Sequence, residues 1–406
     1  MDLTVRPVSL DEVDAFVRAQ TASFGMTARD SDVAAERLIF EADRSLAVFD
    51  GESQVGGAMA ATFEMTVPGG RLPTAGITSV GVLPTHRRRG ILTSLMREQL
   101  EDIHRRGEPL AALWASESGI YGRFGYGIAA QSSTIKIPRE HSAFLRPVEP
   151  AERLRLVDRD EALRTFPQVY ERVLSGRPGH IARNAAWWDY STTDLEHDRD
   201  GASAYFFVLL EENGRPEGYA YYRVKQDWSA HLPAGELRVQ ELQGASPRAV
   251  AQLWRYCLDV DLVAKVSAQH RAPDDPLFLL LADPRRLERR LYDGLYVRVV
   301  DAAAALAGRR YRAPGRLVIE VRDGFCPWNE GRYALEGGPD GTECSPTRAE
   351  PDVVLDATSL GAVYLGGVAF RALAAGLRAE ERRPGALEEA DLMFGVSMAP
   401  WCGHMF

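Results

Sequence analysis

Apolar residues follow two different rhythms along the chain, and the rhythm changes most sharply between Ile77 and Leu100. Ile77 to Leu83 is a short run of β-branched and apolar residues that Pro84 ends, which predicts a strand followed by a turn. Beyond the turn, apolar residues return at a spacing close to the helical period: Ile91, Leu92, Leu95, Met96, Leu100 and Ile103. The stretch therefore predicts a strand, a turn and a helix in direct succession.

The turn between the strand and the helix is strongly basic, with the sequence His86-Arg87-Arg88-Arg89-Gly90. A helix N-terminus offers unpaired backbone N–H groups and the positive end of the helix dipole. Gly90 has no Cβ to keep a ligand away, and the arginines add mobile positive charge. We therefore predict a polyphosphate site. The alternatives are a solvated basic turn and part of a nucleic-acid-binding patch.

The patterns before and after this stretch predict an α/β layer built on a mixed sheet. Asp50-Gly51 between two β-patterned runs is a strong hairpin signal, and Ser9 with Glu12 resembles a capping box. The predicted strands are Leu3 to Val8, Ser45 to Asp50, Gln54 to Thr66 and Leu110 to Ala115, and the predicted helices are Asp11 to Gln20 and Asp32 to Glu41.

The order of elements starts again at Ala151 and once more near Leu291. The second unit repeats the pattern of the first, but its helix from Pro247 to Leu258 follows no arginine–glycine turn. The third unit alternates short strands with short helices. We therefore predict three units at 1–150, 151–290 and 291–406.

Composition limits the classes of function. The 406 residues carry a formal net charge of −9 at pH 7, which disfavours nucleic acid as a partner. No secretory signal opens the sequence and no apolar run has membrane-spanning length, so we expect a cytoplasmic protein without a membrane partner. Four scattered cysteines form no CxxC pair, and His404 with Cys402 lacks further ligands, so we expect no metal.

The basic turn resembles the acetyl-CoA pyrophosphate loop of the GCN5-related N-acetyltransferases (GNAT superfamily), with Arg87-x-x-Gly90 matched and Leu92 in place of the last small residue. The string SVGVLPTHRRRGILTSLM, followed by ALWASESGIYGRFGYG from Ala112 to Gly127, is similar to the Eis (enhanced intracellular survival) branch of that superfamily. The resemblance covers essentially the whole length and continues through Asp293 to Tyr311 and Leu360 to Gly367.

This resemblance implies an α/β (α+β) fold with tandem GNAT-type mixed-sheet domains, the second without cofactor binding, and then a sterol-carrier-protein-like domain. A likeness to a lipid carrier does not by itself imply lipid binding. The implied activity is acetyl-CoA-dependent transfer to a primary amine of a cationic small molecule, by direct attack and without a metal. Family members form hexamers, and some acetylate aminoglycosides.

The resemblance also assigns site residues, beginning with Tyr121 as the general acid. A phenol with a pKa of about 10 is a suitable proton donor to a departing thiolate. Tyr126 lies in the same motif and is not assigned; we expect His86 beside the phosphates and His104 on the helix surface. The residues assigned to acetyl-CoA are Val80, Gly81, Val82, Arg88, Arg89, Gly90, Ile91, Leu92, Thr93, Ser116 and Glu117.

The free carboxylate of the last residue, here Phe406, is the general base that the resemblance implies. The sequence departs from the aminoglycoside-modifying pattern at Met26, Glu36 and Met405. Two other functions stay open: protein lysine acetylation, and a binding protein whose acetyltransferase core is vestigial.

Overall fold

The computed structural model describes residues 3–406 of the chain. Its first segment contains β1 (Leu3–Pro7), α1 (Val13–Ser23), α2 (Asp30–Ile39), β2 (Ser45–Asp50), β3 (Ser53–Val67), β4 (Gly70–Val82), α3 (Ile91–Arg105), β5 (Leu110–Trp114), α4 (Ser118–Tyr121), β6 (Gly127–Ile128) and β7 (Gln131–Pro138). The predicted capping box is present, because the Glu12 carboxylate accepts hydrogen bonds from the backbone N–H and the hydroxyl of Ser9 at 3.0 and 2.8 Å.

The second segment contains β8 (Arg153–Val157), α5 (Arg159–Leu174), α6 (Ala185–Ser191), β9 (Phe206–Glu212), β10 (Arg215–Lys225), β11 (Trp228–Ser229), β12 (Leu232–Pro233), β13 (Glu236–Gly244), α7 (Pro247–Asp259), β14 (Lys265–Arg271), α8 (Leu277–Leu280) and β15 (Glu288–Asp293). The third contains β16 (Leu295–Val299), α9 (Ala302–Ala307), β17 (Gly315–Arg322), β18 (Gly331–Gly337), β19 (Thr342–Pro346), β20 (Val353–Asp356), α10 (Ala357–Tyr364), α11 (Phe370–Ala375), β21 (Ala379–Glu381) and α12 (Ala386–Phe394).

The strands form two seven-stranded sheets, a five-stranded sheet and a small two-stranded hairpin. The first sheet has the order β1-β2-β3-β4-β5-β16-β6, and the second has the order β15-β7-β14-β13-β10-β9-β8. The third sheet has the order β19-β18-β17-β20-β21, and β11 pairs with β12. Both seven-stranded sheets are mixed, since β4 runs parallel to β5 and β13 parallel to β14.

Two strands pair with sheets outside the units in which the sequence predicts them. β7 lies within the predicted first unit (1–150) but pairs with β14 and β15 in the second sheet. β16 lies within the predicted third unit (291–406) but completes the first sheet between β5 and β6. The sheets therefore divide the chain differently from the predicted boundaries at 150/151 and 290/291. Composition does not reveal this exchange, because the partners of a strand are set by tertiary packing.

The crossing strands are fully integrated into the cores of the sheets that they join. Leu295, Val297 and Val299 of β16 have no exposed surface, and Ile135 and Ile137 of β7 are 2% and 1% exposed. The side chains of β16 share one hydrophobic cluster with residues of the first and third segments. Among the described residues, no helix is both long and apolar enough to cross a membrane.

We expect residues 1–150 expressed alone to lack a cooperative thermal transition. The fragment loses β16 from the first sheet, which leaves the apolar edges of β5 and β6 open, and it leaves β7 without partners. Circular dichroism melting of the fragment, with the full chain as the control, measures this. A fragment that melts cooperatively and binds coenzyme A would contradict the shared-sheet interpretation.

Candidate functional site

The first sheet opens between the ends of β4 and β5. These strands pair in parallel only from Thr74 with Leu110 to Ile77 with Leu113. Just beyond, Ser79 adopts a positive φ of 50°, and the register with β3 shifts by one residue. This bulge separates β4 from β5, so the last residues of β4 present an unpaired edge. A cavity of about 620 Å³ lies at this opening.

The basic turn closes one end of this cavity with two residues in the left-handed region. Arg88 has a φ of 63° and Gly90 a φ of 82°, and Gly90 precedes the first residue of α3. No side chain caps α3, so its first backbone N–H groups are left for a ligand. Successive N–H groups at the positive end of a 15-residue helix form a concave anion site. The geometry therefore suits a phosphate group.

Two glycines of this region have different structural reasons. The left-handed backbone at Gly90 favours glycine, and a Cβ there would meet no protein atom within 4 Å, so the space beside it is open. A Cβ on Gly81 would lie 1.9 Å from the Ser23 hydroxyl oxygen, so Gly81 allows α1 to pack against β4. The contact at Gly81 is a tertiary one, which the local sequence does not contain.

The structure brings most of the predicted cofactor residues together around this cavity. Its lining includes Val80, Gly81, Val82, Arg88, Gly90, Ile91, Leu92, Thr93, Ser116, Glu117 and Tyr121. Arg89 is not part of the lining. Arg87 donates hydrogen bonds to the carbonyl oxygens of Ser23 at 3.1 Å and Val82 at 3.4 Å, so it fastens the end of α1 to the turn.

Two further parts of the chain that the sequence did not predict also line this cavity. One is the loop after α1, through Phe24 and Gly25, and the other is Arg123 in the short helical turn after Tyr121. Arg123 adds a third arginine to the lining, beside Arg87 and Arg88 of the turn. Only the fold brings these residues to the mouth of the cavity, and no spacing signal in the sequence marks them.

The two tyrosines of the glycine-rich motif have different surroundings. Tyr121 lines the cavity, and burial raises the pKa of its hydroxyl to about 12, so the phenol keeps its proton at neutral pH. Tyr126 has no exposed surface and does not line the cavity. Its ring packs edge to face against Tyr121 with the centroids 6.1 Å apart, and burial raises its pKa further. Only Tyr121 is placed to meet a ligand.

A second cavity of about 690 Å³ lies on the other side of the bulge in β4. Thr78 lines this cavity and Val80 lines the first one, so neighbouring residues of one strand serve both. The second cavity is enclosed by α1 and α2 of the first segment, by α6, β10, β13 and β14 of the second, and by the end of the chain. It contains Phe406 and the three positions of departure, Met26, Glu36 and Met405.

The last residues of the chain reach this cavity because the second segment anchors them. The Trp401 indole N–H donates to the carbonyl oxygen of His270, and its backbone N–H donates to that of Pro178, each at 2.9 Å. The Trp114 indole N–H donates to the His404 carbonyl oxygen at 3.0 Å. These bonds hold the tail between the two large sheets.

The aromatic ring of Phe406 packs against the first sheet. Its centroid lies 5.1 Å from that of Phe63 on β3. A Cβ on Gly76 of β4 would lie 3.1 Å from Cδ2 of Phe406 and closer still to the Phe63 ring, so the glycine makes room for both rings. The Phe406 ring therefore packs against β4 at Gly76, which lies two residues before Thr78 and close to the point where β4 leaves β5.

The walls of the second cavity carry more negative than positive charge. Four side-chain carboxylates line it, and most of them have hydrogen-bond donors: His197 contacts Asp32 at 2.6 Å, Tyr190 donates to Glu36 at 2.8 Å, and Arg183 donates to Glu241 at 2.9 Å. Burial raises the pKa of Glu36. Asp198 is the fourth, and Arg183 is the arginine that opposes them. Such a cavity favours a cationic ligand.

The remaining candidates from the sequence have structural partners. His86 lines the first cavity, where we predict the phosphates, and its ring contacts Thr85 at 2.8 Å and Asp50 at 3.3 Å. His104, expected on the helix surface, is half-buried and stacks on Trp328 at 4.8 Å. Within residues 3–406 no group of three or more His, Cys, Asp or Glu side chains is placed to hold a metal.

Comparison with known proteins adds family matches to this geometry. Two family models described as acetyltransferase (GNAT) domain match residues 4–129 and 179–299, and a sterol carrier protein domain model matches residues 302–403. This is the tandem architecture that the sequence predicted. An uncharacterized N-acetyltransferase of Streptomyces avermitilis is 43% identical over 100% of both chains.

The chain is also similar to an Eis protein and to a solved Eis1 structure. The N-acetyltransferase Eis of Mycobacterium tuberculosis is 33% identical over 97% of both chains. The crystal structure of Eis1 from Mycobacterium abscessus is 34% identical, covers 100% of both chains and has a TM-score of 0.87. Both similarities span all three sheets.

We expect Arg88→Ala to weaken coenzyme A binding, measured by calorimetry, by roughly tenfold or more, because a charge-assisted phosphate bond contributes about 1.5–3 kcal/mol. Arg105→Ala is the matched control, since it removes the same charge from the far end of α3, where the side chain is 66% exposed. Equal losses in the two variants would indicate a general charge effect and contradict the placement of the phosphates.

Proposed function

The chain belongs to the Eis family of GCN5-related N-acetyltransferases, and from this membership we propose that it transfers the acetyl group of acetyl-CoA to a primary amine of a cationic small molecule. The observation that carries the proposal is the pair of cavities sharing β4. One has a basic helix N-terminus and the other has acidic walls. A donor with a pyrophosphate and an acceptor with an ammonium group are thereby drawn to opposite sides of one strand.

Acetyl-CoA supplies the activated acyl group, and the chain's residues position it. The pyrophosphate binds the N–H groups at the start of α3 with Arg88 and Arg123, while the pantetheine arm runs along the unpaired edge from Val80 to Val82. The free backbone groups of that edge supply the hydrogen bonds that β5 makes further back in the sheet. Backbone N–H groups of the same edge polarise the thioester carbonyl.

Proton removal from the amine is assigned to the carboxylate of Phe406. A free α-carboxyl has a pKa of about 3.3–3.7, far below that of an ammonium near 10. Burial raises the pKa of a carboxylate, and an amine held beside it in a closed site passes on its proton as attack proceeds. The position of Phe406 on β4 supports this role, because it places the end of the chain beside the junction of the two cavities.

Proton delivery to the departing thiolate is assigned to Tyr121. The phenol is protonated at neutral pH, since burial raises its pKa, and a thiolate with a pKa of about 8.5 or higher accepts a proton from it when both are held in place. The attacking nitrogen forms the new C–N bond as the C–S bond breaks. No acyl-enzyme is required.

Aminoglycosides, which carry several primary amines, are included in the proposed substrates, and Glu36 gives the cavity a carboxylate for a second amine. Family membership is also the ground for proposing a cytoplasmic homohexamer.

Thiol release from acetyl-CoA with aminoglycosides, polyamines and lysine peptides tests the function. Amine-dependent release with the small polycations supports it. Release with lysine peptides alone would favour protein acetylation, and no release with any amine would favour a vestigial core.

Replacing the proposed acid gives the clearest catalytic test. Tyr121→Phe should lower kcat by roughly 10²–10⁴, the range of general acid catalysis, with little change in the KM for acetyl-CoA. Tyr126→Phe is the matched control, because it removes the same hydroxyl from a ring that does not line the cavity. Steady-state kinetics that show the larger loss in Tyr126→Phe would mean that the roles are reversed.

Moving the terminal carboxylate tests the proposed base. Deletion of Phe406, or addition of a few residues after it, should abolish turnover while coenzyme A affinity stays largely unchanged, since the basic turn lies on another segment. Turnover and calorimetric binding are measured on the same preparations, with an N-terminally tagged protein as the control. Undiminished kcat in a C-terminally extended protein would remove Phe406 from the mechanism.

A further inference from the structure

His404 lies in the acidic cavity two residues before the terminal carboxylate, and the mechanism above gives it no role. The residue is 3% exposed. Its backbone is fixed, because its carbonyl oxygen accepts hydrogen bonds from the Trp114 indole and the Cys402 thiol, each at 3.0 Å. The ring orientation is therefore a feature of the folded tail and not of a free chain end.

The imidazole ring stands edge to face with two aromatic rings. Its centroid lies 5.2 Å from Trp187 with an interplanar angle of 86°, and 6.1 Å from Phe63 with an angle of 88°. The face of an aromatic ring is negative and attracts an N–H group at the edge of its neighbour. This arrangement provides a place for one ring N–H without a conventional acceptor.

Of the two ring nitrogens, Nε2 is enclosed and has no hydrogen-bond partner among the described residues. A buried N–H with no acceptor is costly, so the aromatic faces are the sites that accommodate it. If the proton resides on Nε2, the other nitrogen, Nδ1, carries the lone pair. His404 lines the cavity and Nδ1, unlike Nε2, is not among the enclosed atoms without a partner, so Nδ1 is the nitrogen that can offer an acceptor there.

The charge state of His404 agrees with this arrangement. Burial lowers the pKa of the imidazole well below its usual value, and the positive charge of Arg183 lowers it further. Arg183 itself is paired with Glu241, and the wall opposite carries Glu36 bonded to Tyr190. At neutral pH His404 is therefore uncharged. An ammonium group has only donors, so an uncharged acceptor suits it.

We propose that Nδ1 of His404 accepts a hydrogen bond from the substrate's amine, beside the Phe406 carboxylate, and so selects and orients the nitrogen that is acetylated. The inference rests on the proposed function and names a recognition residue of the same site. One N–H of the ammonium gives its proton to the carboxylate oxygen, and a second N–H stays bonded to Nδ1. The lone pair is left along the broken N–H bond and first faces the carboxylate. Inversion at nitrogen, with the second N–H still held by Nδ1, then turns it toward the thioester carbonyl. The imidazole remains neutral throughout.

Three substitutions of His404 separate the two ring nitrogens. His404→Phe keeps the packing against Trp187 and Phe63 but removes both nitrogens. His404→Asn places an amide near the position of Nδ1, and His404→Gln places one near the position of Nε2. His104→Phe is the matched control, because that histidine stacks on Trp328 and lies in neither cavity. KM for the amine, KM for acetyl-CoA and kcat are measured for each, together with the thermal midpoint.

His404→Phe should raise the KM for the amine by about 10- to 100-fold, the effect of losing one hydrogen bond to a charged group, with the KM for acetyl-CoA unchanged. His404→Asn should recover most of the loss and His404→Gln should not. If His404→Phe lowers the thermal midpoint, the contrast between Asn and Gln decides the result.

Three results would overturn the inference. The first is an amine KM for His404→Phe within about twofold of the wild type, and the second is equal behaviour of the Asn and Gln variants. The third is a fall in kcat alone, which would point to displacement of the terminal carboxylate instead of lost recognition. If the wild-type chain releases no thiol with any amine, the proposed function fails and this inference fails with it. Wild-type turnover with an unchanged His404→Phe variant refutes only the inference.

Discussion

The separation of β4 from β5 beyond Ile77 is the constraint on which both cavities depend. Backbone groups of a strand normally pair on both edges, and leaving an edge open inside a protein requires another partner. The bulge at Ser79 turns this edge toward the first cavity, while Gly76, one residue before the last pair, makes room for the Phe406 ring. On the other side, β16 pairs with all of β5 and keeps that strand in place while β4 leaves it. The crossing strand therefore supports the opening of the sheet.

The second seven-stranded sheet has no basic turn, but it is indispensable to the site. Trp401 is held by Pro178 and His270, and Arg177 donates to the carbonyl oxygen of Ala399 at 2.8 Å, so the tail is bound chiefly to this segment. His180 packs edge to face against the Trp401 ring. Burial lowers its pKa to about 3, so it stays neutral and places no uncompensated charge beside the tail. A domain that lacks the basic turn thus anchors the end of the chain and supplies one wall of the acidic cavity.

The sequence was most informative where structure is local. The strand, basic turn and helix around Arg88 follow from periodicity, Pro84 and Gly90, and the capping box at Ser9 follows from residue spacing. The exchange of β7 and β16 was not predictable, because an apolar strand fits either sheet by composition. The same holds for Gly81, whose Cβ direction faces α1, and for His104, which is covered by Trp328 from a distant segment. Contacts of this kind depend on the assembled fold, so the loop at Phe24 and the arginine at 123 were missed for the same reason.

Most side-chain carboxylates of the acidic cavity already have hydrogen-bond partners, so the proposed orientation of the amine falls to the end of the chain. Three of its carboxylates are hydrogen-bonded: Asp32 to His197, Glu36 to Tyr190, and Glu241 to Arg183. Tyr219 also donates to Glu241 at 2.7 Å. Carboxylates that are already hydrogen-bonded attract a cation through the field of the cavity but contribute less to its final position. The carboxylate of Phe406 and the neutral imidazole of His404 belong to residues whose rings pack on Phe63, and the His404 backbone is held by the Trp114 indole. Under the proposed function, attraction and orientation of the amine thus fall to different residues, and the orienting pair lies beside β4, along which the thioester arm is proposed to run.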